Sequence, residues 1–169
     1  MKRITLSLLI DAAQEVVTTV RQYKLREFRG ERKTDAVMLG YLQGRFGGIQ
    51  RQHNTSIGSG GGVSRIDFRQ GGTCPVLIEF AVCTSKRGCI YGGPNRKELI
   101  KLERFPPSKA KARYLILLDI TKQEPIHKKN LHASYKRIKG GRGCYARHSV
   151  RVIYVHEDSA YSFIWKPYK

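Results

Sequence analysis

The sequence predicts an α/β domain in which a mixed central sheet is flanked by helices, and three observations point there. Leu6, Leu9, Ile10, Ala13, Val16, Val17 and Val20 fall at helical spacing, and a second helical pattern follows before a series of short β-like segments. Arg113–Ile120, RYLILLDI, is almost continuously apolar, as a strand covered on both faces must be. Near the end, VRVIYVH and YSFIWKPY flank the short segment EDSA and read as a hairpin, Val150–His156 with Tyr161–Tyr168. The 169 residues suit one domain, which buries a real core without disulfides or metal staples.

In order along the chain, a first helix is expected from Thr5 to about Glu27. The basic start and apolar run of MKRITLSLLIDAAQ resemble a signal peptide only superficially, because no small-residue cleavage site follows. No run is long enough to span a membrane, and a cytoplasmic location is expected. A charged link, Arg29–Lys33, leads to a second helix capped by Thr34, with Val37, Met38, Tyr41, Leu42 and Phe46 as its apolar stripe and Gly47–Gly48 as its stop. Ile49–Asn54 is a short strand, and Gly58–Gly62 around Ser59 a loop. Ser64–Arg69 and Val76–Val82 then form a strand pair across the turn Gln70–Pro75. After a Gly- and Lys-rich loop, Thr84–Pro94, Asn95 caps a helix to about Phe105. Its Leu99, Leu102 and Phe105 face inward, while Lys97, Lys101 and Arg104 line a basic ridge.

Charge narrows the partner. Lys and Arg number 32 against 13 Asp and Glu, a formal net charge of +19. So lopsided a sign exceeds what solubility requires and points to a polyanion, nucleic acid first. Cys74, Cys83, Cys89 and Cys144 show no Cys-x-x-Cys spacing, which argues against a zinc site or a disulfide framework and for reduced thiols.

Against this basic background stand Asp67 in SRIDFR and Glu79 in VLIEFAV, each an acid among Ile, Phe, Leu and Val. A carboxylate there is costly to bury unless a metal, a proton or a cation compensates it, and two on successive strands suggest a shared ion. The alternative is an internal ion-pair network with Arg65 and Arg69.

The order of elements and these residues resemble the PD-(D/E)xK, or restriction-endonuclease-like, nuclease superfamily, particularly its Holliday-junction-resolvase-like branch, over about Thr34–Ile120. The resemblance implies an α-β-β-β-α-β core, here with an added N-terminal helix and a C-terminal β-hairpin. Asp67 looks like the family's metal-binding Asp, Glu79 like its Glu, and Asp35 lies where many members carry a helical acid. Gly58–Gly61 with Ser59 is similar to the Gly-Ser segment before the metal Asp. Two positions depart: Ile66 stands where a turn former is usual, and Ala81 where the Lys of Glu-x-Lys belongs. That Lys orients or activates water and stabilises charge on the phosphate, which a methyl group cannot do. Some members supply the cation from elsewhere, often from the following helix. Lys97 is the first candidate here, with Lys101, Arg65 on the Asp67 strand face and Lys86 behind it.

The resemblance therefore implies Mg²⁺ (or Mn²⁺) held by Asp67, Glu79 and Asp35, with hydrolysis of phosphodiester bonds in DNA rather than RNA and little sequence specificity. The alternative is a catalytically inactive DNA- or RNA-binding module on the same fold, for which Ala81 argues. Resolvase-like relatives commonly pair, so a homodimer is one state the resemblance allows, and the sequence leaves the oligomeric state open. Lys122–Arg151 holds nine Lys or Arg against the single acid Glu124, interleaved with Tyr135, Tyr145, His127, His132 and His148. It reads as a basic arm, residues 122–149, that neutralises phosphates and stacks Tyr on bases, with the His residues as surface contacts. The expected nucleic-acid contacts are Lys86, Arg87, Lys101, Lys128, Lys129, Lys136, Arg137, Lys139, Arg142 and Arg147. The chain thus divides, within one domain, into a core of about 34–120, this arm, and a hairpin at 150–168.

Overall fold

The computed structural model describes residues 3–22, 31–57, 62–71, 75–84, 87–141 and 148–167; the side chains of 31–35, 52–57, 62–65 and 87 also lie outside the description. Its elements are α1 (Leu6–Gln22), α2 (Glu31–Arg45), β1 (Ile49–Ile57), β2 (Gly62–Gln70), β3 (Val76–Cys83), a 3₁₀ turn (Arg87–Ile90), α3 (Arg96–Glu103), β4 (Ala112–Asp119), α4 (Lys128–Lys136), β5 (Val150–His156) and β6 (Ser159–Trp165). The strands lie in chain order in one six-stranded sheet. β1, β2 and β3 form an antiparallel meander, β4 and β5 continue parallel to β3, and β6 returns antiparallel to β5. Parallel neighbours need crossovers, and α3 and α4 lie within the two that occur here. The fold is α/β, a mixed sheet flanked by helices.

Side-chain alternation along the central strands creates two cores. Leu77, Ala81, Leu115, Leu117, Val150, Val152 and Tyr154 face α3 and α4, where Leu99, Leu102, Leu131 and Tyr135 meet them. Ile78, Phe80, Ile116, Leu118, Ile153 and Val155 face α1 and α2, where Leu9, Ala13, Val16, Val17, Met38, Leu42 and Phe46 pack. β4 is buried on both sides from Leu115 to Asp119, as its unbroken apolar run predicts. Gln70 fastens the α1/α2 layer to the sheet: its Oε1 accepts from Ile4 N–H at 3.0 Å and its Nε2 donates to the Gly47 carbonyl at 2.9 Å.

Several boundaries differ from the sequence reading. The first helix starts at Leu6 and is described to Gln22, so the expected stretch to Glu27 lies outside the described residues. Helix α2 begins at Glu31, which makes Glu31–Lys33 helical rather than a link and puts Thr34 inside the helix rather than at its cap. Gly48, at φ 70°, follows this helix in a left-handed turn that suits glycine. β2 already includes Gly62, while 58–61 lie outside the described residues. Asn95 precedes α3 without a side-chain cap bond; its Nδ2 instead donates to the Cys89 and Tyr91 carbonyls at 2.7 and 3.1 Å. The hairpin turns at Glu157–Asp158, β6 starts at Ser159, and Tyr168 is outside the description.

The largest correction concerns the basic arm. Lys128–Lys136 is helix α4, with His127 at its N-cap accepting from Lys129 N–H at 3.3 Å. Tyr135, expected to stack on bases, is fully buried and donates its hydroxyl to the Ile90 carbonyl at 2.8 Å. His132 lies against Phe163 with ring centroids 4.9 Å apart. Tyr145 lies outside the described residues.

Candidate active site

The β2–β3 ladder is short. Its paired residues run from Gln70 opposite Val76 to Phe68 opposite Ile78, and Asp67 comes next. Here a side chain continues the pairing: Asp67 Oδ2 accepts from the Phe80 main-chain N–H at 2.9 Å. Asp67 is thereby held beside Glu79, the residue preceding Phe80. Glu79 shares the α3-facing side of β3 with Leu77 and Ala81, and its side chain is 1% exposed.

Helix α3 crosses over this point. Lys101 Nζ donates to Glu79 Oε2 at 2.9 Å and also pairs with Glu98 one turn earlier on its own helix. Glu79 Oε1 is buried and has no hydrogen-bond partner among the described residues. Burial, then the Asp67 carboxylate and Glu98, push the Glu79 carboxyl up to about 10 against the pull of Lys101. Burial alone would depress the Lys101 ammonium, but Glu79 and Glu98 outweigh it and hold the ammonium above its ordinary value. Both shifts express one imbalance: three carboxyl groups share a single ammonium.

The helix is fixed at both ends. Asn95 secures the loop before it, and Arg113 at the start of β4 donates through Nε to the Phe105 carbonyl at 2.6 Å just beyond it. Helix α4 braces the same loop through Tyr135 and through Gly92, whose N–H donates to Ser134 Oγ at 3.3 Å. A Cβ at position 92 would lie 2.4 Å from Ile138 Cδ1 and 2.9 Å from the Ser134 carbonyl oxygen, so only glycine fits.

Asp67, Glu79 and Lys101 therefore come together. Lys97, the first-named cation, is exposed one turn away, while Lys101 leaves the expected basic ridge for the site. Glu98 was not anticipated, although its spacing to Lys101 on a predicted helix was a readable signal. The side chains of Arg65, Asp35 and Arg87 lie outside the description, as do Lys86, Arg142 and Arg147 entirely. Lys128, Lys129, Lys136, Arg137 and Lys139 are exposed on and after α4. Cys83 is buried, Cys89 is half-buried with its Sγ donating to the Val82 carbonyl at 3.7 Å, and Cys74 and Cys144 lie outside the description.

Among the described residues no group of three or more His, Cys, Asp or Glu is arranged to hold a metal ion, and no helix is long and apolar enough to cross a membrane. The acids nonetheless suit a hard cation. Mg²⁺ is commonly held by one or two carboxylates plus water, and Glu79, close enough to feel the Asp67 charge, has a buried Oε1 with no hydrogen-bond partner among the described residues.

No protein-family model matches the sequence, and no curated protein matches it. Among solved structures, the chain is similar to one described as the crystal structure of SSO0001. The identity is 13% over 95% of this chain and 67% of the other, with a TM-score of 0.36.

Proposed function

We propose that this protein is a single-domain metal-dependent nuclease that hydrolyses phosphodiester bonds in DNA, on a restriction-endonuclease-like core of α2, β1, β2, β3, α3 and β4. The observation that carries this reading is the Lys101–Glu79 contact at 2.9 Å beside Asp67. It offers the cation that Ala81 lacks, delivered from the following helix. Ala81 faces the same α3 layer, so Lys101 approaches from the side where a strand lysine would have pointed.

In this reading Asp67 and Glu79 hold Mg²⁺ or Mn²⁺, which when bound polarises the scissile phosphate and acidifies water. Lys101 stabilises the negative charge that grows on the phosphate, and Glu79 and Glu98 aim its ammonium. Phe80 N–H fixes the Asp67 carboxylate. The exposed Lys128, Lys129, Lys136, Arg137 and Lys139, with Lys97, bind the phosphate backbone without reading bases.

The test is cleavage of labelled linear, branched and single-stranded DNA with Mg²⁺ or Mn²⁺, beside EDTA and Glu79→Ala controls, with binding recorded on the same samples. Metal-dependent cutting that disappears in Glu79→Ala supports the nuclease. Salt-sensitive binding without cutting in either protein would instead assign the fold to a non-catalytic nucleic-acid-binding module.

A further inference from the structure

We propose that β6 is a self-association edge, through which two copies of this chain pair antiparallel about a two-fold axis at Ser162. β6 closes one end of the sheet with β5 as its single strand neighbour, and among the described residues no main chain pairs with its outer side. Soluble proteins usually guard such edges with charge, proline or a bulge. The opposite edge, β1, carries Arg51 and His53. By contrast, Ser159–Trp165, SAYSFIW, has no charged residue and no proline, in a chain with 32 Lys and Arg and 13 Asp and Glu. Ile164 on this strand is 45% exposed and is one of two exposed large hydrophobics among the described residues.

The occupant follows from self-complementarity. Antiparallel pairing centred on Ser162 sets Ala160 opposite the partner's Ile164, Tyr161 opposite the partner's Phe163, and Asp158 opposite the partner's Lys166. Directly opposed residues share a face, so each exposed Ile164 covers an alanine of the other copy. The ends carry opposite charges at matching distances. Asp158 is 70% exposed and lies 3.6 Å from the His156 ring, whereas Glu157 is already engaged by Arg21 at 2.9 Å. A +19 chain repels its own copy over most of its surface. The strand's own residues are neutral along this seam, with the Arg151 guanidinium of β5 behind it donating to Ser162 Oγ at 3.4 Å, and both ends are attractive, which favours a second copy over a basic or acidic peptide. Seven residues per copy make a small interface, so the equilibrium belongs in the micromolar range.

The experiment is sedimentation velocity of the full chain without DNA across the micromolar range, with circular dichroism and thermal melts confirming that each variant folds. Wild type is expected to dimerise with concentration. Ile164→Lys, which replaces the apolar cover over the partner's Ala160 with an ammonium, and Asp158→Lys, which sets like charges opposite each other at Lys166, are each expected to weaken dimerisation by about ten-fold or more. The Asp158→Lys/Lys166→Asp double variant restores it. Ser162→Cys, which meets its own copy on the axis, is expected to form a disulfide-linked dimer on mild oxidation beyond any seen in wild type, whereas Ser159→Cys does not. A wild type that stays monomeric, an Asp158→Lys variant as dimeric as wild type, or a Ser162→Cys variant that does not cross-link would each overturn the proposal.

Discussion

Asp67 Oδ2 accepts a hydrogen bond from the Phe80 main-chain N–H at 2.9 Å, one residue beyond the last β2–β3 pair. The carboxylate takes the place a strand carbonyl would occupy, so Asp67 is a structural acceptor and a candidate ligand together. Asn and Ala separate these roles. Asp67→Asn keeps an acceptor for Phe80 N–H and is expected to fold with near-native stability while losing metal-dependent cleavage. Asp67→Ala also leaves the amide unpaired, which costs about 1–3 kcal/mol in urea denaturation.

Lys101 and Lys97 lie one turn apart on α3, yet only Lys101 contacts Glu79. Lys101→Met is expected to lower the cleavage rate by about 10²-fold or more while leaving DNA affinity nearly unchanged. Lys97→Met is expected to do the reverse, weakening binding slightly with little effect on the rate at saturating DNA. Adding Ala81→Lys to Lys101→Met is expected to recover part of the activity, because position 81 faces the same layer. Single-turnover kinetics separate these effects.

Glu79 gives the protein a pH signature. Its folded pKa, about 10, lies above the ordinary 4.5, so the folded state keeps a proton that the unfolded chain releases. Its contribution to stability is therefore fully present below about pH 4.5 and declines as pH rises toward 10. In EDTA the Tm of wild type is expected to fall more steeply than that of Glu79→Gln across this window, so the difference between them widens with pH. Mg²⁺ is expected to raise the Tm of wild type near neutral pH and to leave that of Glu79→Gln unmoved. Differential scanning calorimetry at several pH values reads both.

The exposed lysines of α4 carry a prediction about salt. Changing Lys128, Lys129 and Lys136 to Ala is expected to make the slope of log affinity against log salt shallower by up to about 3 and to weaken all DNA sequences alike. Filter binding at several salt concentrations measures the slope. A stability change is not expected, because these side chains point to solvent while Leu131 and Tyr135 anchor the helix.

What the sequence disclosed follows physical lines. Arg113–Ile120 was readable as a central strand because burial on both faces leaves no polar alternation to interpret. Asp67 and Glu79 stood out because acids are costly in such strands. Helix α4 was hidden, since its buried anchors are only Leu131 and Tyr135 among Lys, His and Asn. The choice between Lys97 and Lys101 was not legible either. Both belong to one helical face, and what decides between them is the level at which α3 lies over β3, set by the Arg113–Phe105 and Asn95–Cys89 ties on either side.

The fit of Gly92 under Ile138 and Ser134 constrains how this chain can change. The segment between β4 and β5 and the loop that launches α3 form one interlocked joint, with no room for even a methyl group between them. Neither half can drift alone: a bulkier loop residue would require a remodelled helix beneath it. Shortening the basic segment between β4 and β5 as a dispensable insertion would pull out the wedge that keeps Lys101 at its height above Glu79.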